Sequence, residues 1–568
     1  TIATQQVPNQ FGTQRYSVFF EPGTYGSASD PLDFQVGFYT QVAGLGQEPG
    51  DVVVNGAINV YNQCTGTGYS DCEGTDNFWR SLSNLTLNVD LPPASAAVTP
   101  TPAGETAGCL NTNDFWAVSQ ADPMRRVILN GTLFLSDYCG QGFVSGGYMA
   151  DDEFNNGIVC NCNQQQYFAR NSNIDSWTNG VWNQVFLGDI GAPATNFGSG
   201  GQYTNVATTP VSQEEPYLYT DSGGSLRVFV PAVQHNSVGT SYSSGTTAGY
   251  SLPASRFFLA DPGTPEAAIN AALAVGQNLI LTPGVYDLAH PIRIEHPDTI
   301  VLGLGFATLI PQSGNVAMQT ADVPGIKLSG VIFDAGPQNS PALLELGDQN
   351  RGNDNAPGDG FSNPDDPTLA QDVFFRIGGA EPGKATTALI VNDDYTILDD
   401  VWAWRADHGN GVGWTQNTAD TGVIVNGNNV DAYGLAVEHF QKNEVIWSGQ
   451  NGEDVFFQNE MPYDPPSQSA WMASPTSPGY PAFLVSNNVT SFQGYGMGSY
   501  SFFNQGVPIY SANAFEAPDT PGVQFHGLLT VFLDAVHGSG GINNVINGVG
   551  GSSTVANPDV AVDVPNYP

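Results

Sequence analysis

A motif that occurs twice constrains the fold of this chain more than any other feature. SVFFEPGTYG at residues 17–26 is followed by VAGLG at 42–46, and LILTPGVYDL at 279–288 is followed by VLGLG at 301–305. Each copy has an apolar strand pattern, a Pro-Gly turn and, at nearly the same spacing, a Gly-Leu-Gly turn. Because internal repetition is typical of solenoids, the motif predicts two copies of one repetitive architecture.

Short strand patterns follow the second copy at regular intervals. Apolar triplets separated by Gly, Asn and Asp residues lie at 423–425, 435–437, 445–447 and 455–457. Two steps from triplet to triplet make about 22 residues, which fits one coil of a parallel β-helix with two or three strands per coil.

A helix is predicted just before the second copy. Thr264 is a candidate cap, Pro265 suits the first turn, and Gly276 would end the helix. A helix at this position would cover the open end of a solenoid, as capping repeats must. The predicted fold class is therefore all-β: tandem right-handed parallel β-helices, like those of pectate lyases, at residues 1–212 and 263–568. A Ser-, Gly- and Thr-rich linker at 213–262 is predicted to pack on both of them.

Charge narrows the possible partners. The chain has 14 Lys and Arg against 54 Asp and Glu, a formal net charge of -40, which would repel nucleic acid, anionic membranes and polyanionic substrates. A hydrophobic content of 40% argues against disorder. No apolar stretch approaches the roughly 18 residues of a membrane-spanning helix. We therefore expect a soluble monomer with a neutral partner, and neither nucleic acid nor membrane as a ligand.

The cysteines and the glycosylation sequons favour a secreted protein. The polar start at Thr1 is interpreted as the start of a processed mature form. An even number of cysteines without accompanying histidines favours disulfides over zinc. Their connectivity stays open, although the first two flank a Gly-rich loop and could pair. The cysteines are Cys64, Cys72, Cys109, Cys139, Cys160 and Cys162, and the sequons begin at Asn84, Asn130 and Asn488.

Three acidic residues follow predicted strands. Glu438 follows the triplet 435–437, Glu460 lies one predicted coil later, and Asp407 ends the stretch VWAWRADHG. Since residues one coil apart stack about 4.8 Å apart, these three residues are predicted to form a ladder, with Asp407 and Glu460 about 9.5 Å apart. Stacked carboxylates should raise one another's pKa, so that one stays protonated. A protonated and an ionised carboxyl at such a distance suit inverting glycosidic cleavage, whereas the alternative is a set of solvated coil edges.

Aromatic and amide side chains complete the candidate site. Trp402, Trp404, Trp414, Trp447 and Tyr463 surround the carboxylates in sequence, and Trp rings can stack on sugars or belong to the core.

Gln164 and Gln166 would point to one side of a strand, where they could hold a water or form an ordinary Gln ladder. His408 and His439 adjoin carboxylates but show no metal-ligand spacing, so neither a metal nor a cofactor is expected.

Longer segments resemble glycoside hydrolase family 55, especially its bacterial-type members. The resemblance covers nearly the whole chain and is carried by EPGTYG, NFWRSLSNL, SQADPMRR, GGYMAD, WAWRADHGNGVGW, TADTGVIVNG, AVEHFQKNEVIW and FFQNEMPYDPP. It implies a rib-cage of two parallel β-helices and an inverting exo-β-1,3-glucanase that releases glucose from laminarin-type chains.

The resemblance also implies roles for individual residues. Glu460 would be the general acid, and Gln164 and Gln166 would hold the attacking water, so that both halves of the chain contribute to one site. The resemblance implies that the pocket is lined by Asp407, Glu438, Trp404 and Tyr463. Further candidates for substrate binding are Trp402, Trp414, Trp447 and His408.

Two other functions fit the same fold. A polysaccharide lyase would need a base and a cation for a uronate, for which Arg405 and Lys442 are available, but the net charge of -40 disfavours polyuronates. A non-catalytic glycan-binding solenoid would keep the aromatic residues and have no use for the carboxylates. The fold alone does not separate these functions.

Overall fold

The protein is described by a computed structural model covering residues 2–65, 71–89, 113–136, 142–348 and 363–568. These residues form two compact units, each with its own hydrophobic core. Unit 1 comprises residues 1–196, 201–257 and 304–306, and unit 2 comprises 197–200, 258–303 and 307–568. The main division therefore lies between Phe257 and Phe258, close to the predicted start of the second β-helix at residue 263. None of the helices within the described ranges is long and apolar enough to cross a membrane.

Unit 1 is built mainly from parallel strands. Its largest sheet connects β1, β4, β8, β10, β12, β15, β18 and β19 in that order, and a second sheet connects β17, β14, β11 and β9. Each strand pairs in parallel with a strand of the next coil, which is a parallel β-helix. The elements are α1 Ile2–Gln6, β1 Tyr16–Phe20, β2 Gly23–Tyr25, β3 Leu32–Gln35, β4 Thr40–Gly44, β5 Val52–Asn59, β6 Gln63–Thr65, β7 Asp71–Glu73, β8 Arg80–Asn88, β9 Asn113–Phe115, β10 Met124–Asn130, β11 Thr132–Phe134, β12 Gly147–Ala150, β13 Glu153–Asn155, β14 Val159–Cys160, β15 Gln166–Arg170, β16 Asn173–Ile174, β17 Trp177–Thr178, β18 Asn183–Leu187, β19 Tyr203–Val206, β20 Thr209–Ser212, β21 Tyr217–Thr220, β22 Leu226–Pro231, β23 Gln234–Ser237 and β24 Gly249–Pro253.

Unit 2 repeats this architecture with longer strands. One sheet connects β25, β26, β29, β31, β33, β35, β37, β39, β43, β46 and β49, and another connects β28, β30, β32, β34, β36, β38, β42 and β45. The elements are β25 Phe257–Ala260, α2 Glu266–Leu273, β26 Asn278–Leu281, β27 Val285–Leu288, β28 Ile292–Ile294, β29 Ile300–Pro311, β30 Met318–Thr320, β31 Lys327–Asp334, β32 Ser340–Leu346, β33 Thr368–Ile377, β34 Ala385–Val391, β35 Thr396–Arg405, β36 Thr421–Val425, β37 Asp431–Glu438, β38 Val445–Trp447, β39 Gly452–Glu460, β40 Met472–Ser474, β41 Ser477–Pro478, β42 Phe483–Val485, β43 Phe492–Ser501, β44 Ile509–Ser511, β45 Phe515–Glu516, β46 Val523–Phe532, β47 Gly540–Ile542, β48 Ser553–Thr554 and β49 Val562–Tyr567.

The predicted β-helix fold and its coil length are confirmed in unit 2. The four apolar triplets lie in β36, β37, β38 and β39. Asp431 pairs with Glu453 and Ala436 with Gln458, so the coil between β37 and β39 is 22 residues long.

The two copies of the sequence motif form the same local structure. Phe20, before the first Pro-Gly turn, pairs with Gly44, and Leu281, before the second, pairs with Gly303. A Cβ atom on Gly44 would lie 2.1 Å from a carbonyl oxygen of the next coil, and one on Gly303 would lie 2.4 Å from such an oxygen. Glycine is needed at both positions because adjacent coils approach too closely for a side chain.

The long strands of unit 2 all bend at one equivalent position. The bend residue has a positive φ in seven successive strands: Gly330, Asp372, Asp400, Gly434, Phe456, Gly496 and Gly527. Glycine and aspartate tolerate this left-handed conformation, whereas Phe456 is the one bulky residue among the seven. Because each long strand contains this corner, a coil has three straight segments.

The predicted linker at 213–262 is ordered structure, most of which belongs to unit 1. Strands β21, β22 and β24 form an antiparallel sheet. Glu214 forms an ion pair with Arg170 at 2.7 Å, and the backbone N–H of Thr247 donates to Glu48 at 2.9 Å. These buried or half-buried bonds fix the segment to the β-helix of unit 1.

The predicted helix before the second motif is present as α2, but its predicted cap is wrong. The hydroxyl of Thr264 accepts a hydrogen bond from the backbone N–H of Asp261 at 3.0 Å, and it makes no capping bond to the helix. Ile269 and Leu273 are buried in the core of unit 2, and the chain leaves the helix through Gly276 at φ 78°.

One disulfide joins Cys160 and Cys162, in agreement with the expectation of disulfides. The backbones of Cys64 and Cys72 lie directly opposite each other in β6 and β7, as a local pair requires. Cys109 and Cys139 lie outside the described residues.

One of the three predicted glycosylation sites is wrong. Asn84 is 2% exposed, and its amide donates to the carbonyl oxygens of Gly44 and Gly46, so it cannot carry a glycan in the folded protein. The side chain of Asn130 is half-buried and bonded to Asn88. Asn488 is exposed and stays a predicted site.

Candidate active site

The coils that carry the predicted site residues are longer than the 22-residue coil. Trp404 pairs with Glu438, and Glu460 pairs with Tyr500, so these coils contain 34 and 40 residues. The additional residues follow the carboxyl ends of β35 and β39. Because carboxyl ends of parallel strands meet at one edge of a sheet, the inserted loops gather beside one another.

These loops enclose a pocket of about 160 Å³ in unit 2. Residues after β35, β37, β39 and β43 contribute to it, so four neighbouring coils share in the lining. The lining includes Asp407, Val412, His439, Tyr463, Asp464 and Asn504. A concave site of this kind, with polar groups converging on it, is where a small sugar unit can be held.

The predicted carboxylate ladder is only partly correct. Ala436 pairs with Gln458, so Glu438 and Glu460 end neighbouring strands at the same level, as predicted. Asp407 does not continue the ladder, because β35 ends at Arg405 and Trp404 is the residue opposite Glu438. Asp407 belongs to the inserted loop and reaches the pocket from there.

His439 brings Asp407 and Glu460 together. Its Nε2 atom lies 4.0 Å from Oδ1 of Asp407 and 3.9 Å from Oε2 of Glu460. The two carboxylate oxygens are therefore no farther apart than about 8 Å, less than the distance of about 9.5 Å expected from coil spacing alone.

Glu460 adjoins the pocket at the end of β39. Its side chain is 17% exposed, and Oε2 accepts a hydrogen bond from the Tyr463 hydroxyl. Its backbone carbonyl accepts from the N–H of His439 at 2.8 Å. The carboxyl group is thus held in a fixed position against Tyr463, which lines the pocket.

Glu438 is held by a tryptophan. It is 4% exposed, and its Oε2 accepts a hydrogen bond from the indole N–H of Trp402 at 2.9 Å. Trp402 stacks on Trp404 with ring centroids 5.2 Å apart, and each indole is 1% exposed. The two rings therefore support Glu438 and each other, and their burial favours a packing role over the alternative of an open sugar platform.

The other two predicted tryptophan platforms also differ from expectation. Trp447 is fully buried in the core of unit 2, where it packs on Phe483 and Phe492, so the prediction that it binds substrate is wrong. Trp414 is half-buried, and the guanidinium of Arg405 lies 5.7 Å from its ring. Neither indole is among the residues that line the pocket.

Asp407 is ionised, contrary to the expectation that stacked carboxylates raise one another's pKa. Burial alone would raise its pKa, but a hydrogen bond with His408 at 2.9 Å and the proximity of His439 and His408 lower it to about 2. Since its neighbours are His408 and His439, Asp407 is a carboxylate at neutral pH. It can accept hydrogen bonds but cannot donate a proton.

Arg405 and Asp464 form a structural pair beside the pocket. The guanidinium makes two bonds to the Asp464 carboxylate, at 2.9 and 2.8 Å, and a third to the carbonyl of Asn417 at 2.8 Å. Arg405 is 1% exposed and its donors are engaged, so it is not available to neutralise a uronate as a lyase would require. Lys442, also considered for that role, is paired with Asp420 on the surface.

Glu444 is a buried acidic residue near Glu438 that the sequence did not reveal. It is 1% exposed, and its Oε2 accepts the backbone N–H of Phe440 at 3.1 Å. Burial, reinforced by the charge of Glu438, holds its pKa well above the usual range despite the opposing hydrogen bonds. Glu444 thus lies close enough to Glu438 for the two charges to interact. Its short loop, HFQKNE, carries no pattern that would have identified it.

Gln164 and Gln166 lie in unit 1, and both are fully buried. The amide nitrogen of Gln164 donates to the carbonyls of Val118 and Leu135 at 2.7 and 2.8 Å. That of Gln166 donates to the hydroxyl of Ser145 at 2.9 Å. Within the described residues, neither Oε1 atom has a hydrogen-bond partner. Both amides are thus fixed with an acceptor atom left over, the property expected of groups that hold a water.

In the part of the chain that the structure describes, no group of three or more His, Cys, Asp or Glu residues is arranged to hold a metal ion.

Comparison with known proteins places this geometry in a family. Residues 257–460 match the LAM55 pectate lyase-like domain. The exo-beta-1,3-glucanase of Streptomyces sp. (strain SirexAA-E / ActE) is 46% identical over 549 residues, which are 97% of this chain and 83% of that protein. The structure of sacteLam55A from Streptomyces sp. SirexAA-E has a TM-score of 0.88 and 44% identity, covering 100% of this chain and 95% of that one. A glutamate-to-alanine variant of sacteLam55A in complex with glucose matches equally well. Because this similarity spans both units, the chain belongs to glycoside hydrolase family 55.

Proposed function

We propose that this protein is an exo-β-1,3-glucanase that removes terminal glucose units from laminarin-type β-1,3-glucan. The observation that carries the proposal is the carboxyl group of Glu460, held by Tyr463 beside a pocket that Asp407 and His439 line. The exo-beta-1,3-glucanase relative and the glucose complex of sacteLam55A support the same substrate.

Glu460 is the general acid in this proposal. Its carboxyl group is partly accessible to solvent and is bonded to Tyr463, which lines the pocket, whereas Asp464 is engaged in a two-bond pair with Arg405. Asp407 is ionised and therefore binds hydroxyl groups of the substrate instead of protonating the leaving oxygen. Glu438, fixed by the Trp402 indole, supports the wall next to Glu460.

Inversion of the anomeric centre is part of the proposal. A retaining enzyme places its nucleophilic carboxylate on the face of the sugar opposite the acid, about 5 to 5.5 Å away. Asp407 and Glu460 both approach the same nitrogen atom of His439, at 4.0 and 3.9 Å. In this proposal Asp407 binds hydroxyl groups of the sugar and Glu438 is buried against the Trp402 indole, so neither is assigned as a nucleophile. The far face of the sugar is therefore left to a water molecule.

Hydrolysis of laminarin is expected to give α-glucose as the first product. The substrate has β linkages, and a single displacement by water inverts them. Proton NMR during the first minutes, before mutarotation, distinguishes the two anomers. Early β-glucose would overturn inversion, oligosaccharides without glucose would overturn exo-action, and an unsaturated product absorbing in the ultraviolet would indicate a lyase.

Gln164→Ala and Gln166→Ala are each expected to lower kcat by about tenfold, the value of one well-placed hydrogen bond of about 1.4 kcal/mol. The reason is that the unpaired Oε1 atoms are the candidate acceptors for the attacking water. Gln165→Ala is the matched control, since its half-buried side chain lies between the two. Unchanged kcat in both variants, with thermal midpoints near that of the wild type, would remove these amides from the mechanism.

A further inference from the structure

We propose that His439 is a specificity residue whose Nε2 atom accepts a hydrogen bond from a hydroxyl group of the terminal sugar. This inference rests on the proposed function, because it assigns a ligand to the same pocket. The predicted site residues did not include His439, which the sequence marks only by its place after Glu438.

The tautomer of His439 follows from its neighbours. Its Nδ1 atom lies 3.2 Å from the carbonyl oxygen of Met461, and a carbonyl oxygen can only accept, so Nδ1 carries the hydrogen. Nε2 therefore presents a lone pair when the ring is neutral. Among the described residues, no hydrogen bond reaches Nε2, whose nearest polar neighbours are the carboxylates at 3.9 and 4.0 Å.

Burial keeps the His439 ring neutral despite the carboxylates around it. Burial lowers the pKa of His439, and the Asp407 carboxylate and the Met461 carbonyl oppose this effect without overcoming it. Arg405 adds to the lowering and Asp464 opposes it. Glu460 and the Tyr463 ring, 4.3 Å from the imidazole, complete the surroundings. Nε2 is thus an acceptor at neutral pH.

The ring cannot turn away from the pocket. The backbone N–H of His439 donates to Glu460 at 2.8 Å, and its carbonyl accepts from Arg405 at 3.1 Å. Its φ of 67° is a left-handed conformation, which is uncommon for residues other than glycine but which histidine, asparagine and aspartate adopt more readily than most. The residue is 3% exposed, so little space exists for another rotamer.

Nε2 of His439 and the Asp407 carboxylate are neighbouring hydrogen-bond acceptors, so the pocket favours a ligand that carries hydrogen-bond donors at this point. Nε2 of His439 and the ionised Asp407 Oδ1 are 4.0 Å apart and cannot bond to each other. Two adjacent sugar hydroxyls can each donate one hydrogen, one to Nε2 and the other to Oδ1, at distances of about 2.8 Å. A site that pairs with a hydroxyl in this way discriminates against an analogue that lacks the hydroxyl.

His439→Asn separates this role from a structural one. The asparagine amide can replace the Nδ1 bond to Met461 and tolerates the left-handed backbone, but it has no atom at the position of Nε2. We expect kcat/KM on laminaritriose to fall about tenfold, with a thermal midpoint near that of the wild type.

A set of laminaritrioses, each lacking one hydroxyl of the terminal sugar, gives the decisive measurement. For the wild type, kcat/KM on one of these analogues should be about tenfold lower than on laminaritriose, and His439→Asn should not lower kcat/KM on that analogue any further. For each of the other analogues, the fold-loss in kcat/KM caused by the missing hydroxyl should multiply with the fold-loss caused by the variant. The proposal would be overturned if the two fold-losses in kcat/KM multiplied for every analogue. It would also be overturned if kcat/KM of the variant on laminaritriose stayed within twofold of that of the wild type. Failure of the wild type to cleave laminaritriose would instead overturn the proposed function.

A second measurement on the wild type does not depend on a variant that folds. The ¹⁵N resonance of an unprotonated imidazole nitrogen responds to an incoming hydrogen bond. Addition of glucose should shift the Nε2 resonance of His439 while its Nδ1 resonance stays in place. An unchanged Nε2 signal at saturating glucose would also overturn the proposal.

Discussion

Glu460→Gln is expected to lower kcat on β-1,3-glucan by about 10²- to 10⁴-fold, the usual consequence of losing a general acid. Glutamine has nearly the shape of glutamate but carries no proton that it can transfer. The Tyr463 hydroxyl can still donate to the side-chain oxygen, so the wall of the pocket should keep its arrangement. The rate of glucose release at saturating laminarin measures the effect.

A substrate with an activated leaving group distinguishes loss of the acid from loss of structure. Dinitrophenolate departs without protonation, so Glu460→Gln should recover most of its lost rate on dinitrophenyl β-glucoside, which a damaged pocket would not. Glu453→Gln is the matched control, because Glu453 lies on the same strand before the bend at Phe456 and does not line the pocket. Retention of more than about a tenth of wild-type kcat on glucan would contradict the assignment.

The periodic part of the fold was predictable because a β-helix repeats in sequence as it repeats in space. Glu438 and Glu460 are 22 positions apart, and the observed pairing of Ala436 with Gln458 places them at the same level. The Pro-Gly and Gly-Leu-Gly motifs recur because adjacent coils leave no space for a Cβ atom at Gly44 or Gly303. In both cases the local constraint repeats with every coil, so spacing alone reveals it.

The positions of residues in inserted loops could not be predicted in this way, because the inserted loops do not repeat from coil to coil. Asp407 was predicted to stack in register, but the chain leaves β35 after Arg405 and the inserted loop sets the position of its carboxylate. Its pKa was therefore mispredicted as well, since its neighbours are His408 and His439. Glu444 and Asp464 lie in other loops, where burial and pairing determine their role.

The second source of wrong predictions was the question of which face of each strand is buried. In the triplet Val445–Trp447 every residue is apolar, so nothing in the sequence marks which face is buried. Trp447 points into the core, whereas Trp402 and Trp404 are buried outside the core cluster and contact Glu438 or each other. A bend at a left-handed residue such as Asp400 also interrupts the simple alternation along a strand.

Asp407→Asn is expected to lower kcat/KM by about 10- to 100-fold, because hydrogen bonds to a charged group contribute about 1.5 to 3 kcal/mol. The pKa of about 2 means that the wild-type residue is an acceptor-only carboxylate at neutral pH. Asparagine removes the charge and turns one of the two acceptor atoms into a donor. That donor can bond to Nε2 of His439, 4.0 Å from the carboxylate in the wild type, and so block the acceptor proposed for the sugar.

The pH profile of Asp407→Asn carries further information. The stability that ionised Asp407 contributes is present above its unfolded pKa and is lost as the pH falls toward about 2. Asp407→Asn should therefore be less stable than the wild type at neutral pH, and the difference should narrow as the pH falls toward about 2. Without the negative charge beside it, Glu460 should lose its proton more readily, which moves the alkaline limb of kcat/KM to lower pH. Asp420→Asn, an exposed partner of Lys442 at the end of the same loop, is the control and should stay within twofold of the wild type. An unmoved alkaline limb together with unchanged kcat/KM would show that Asp407 contacts neither the substrate nor the acid.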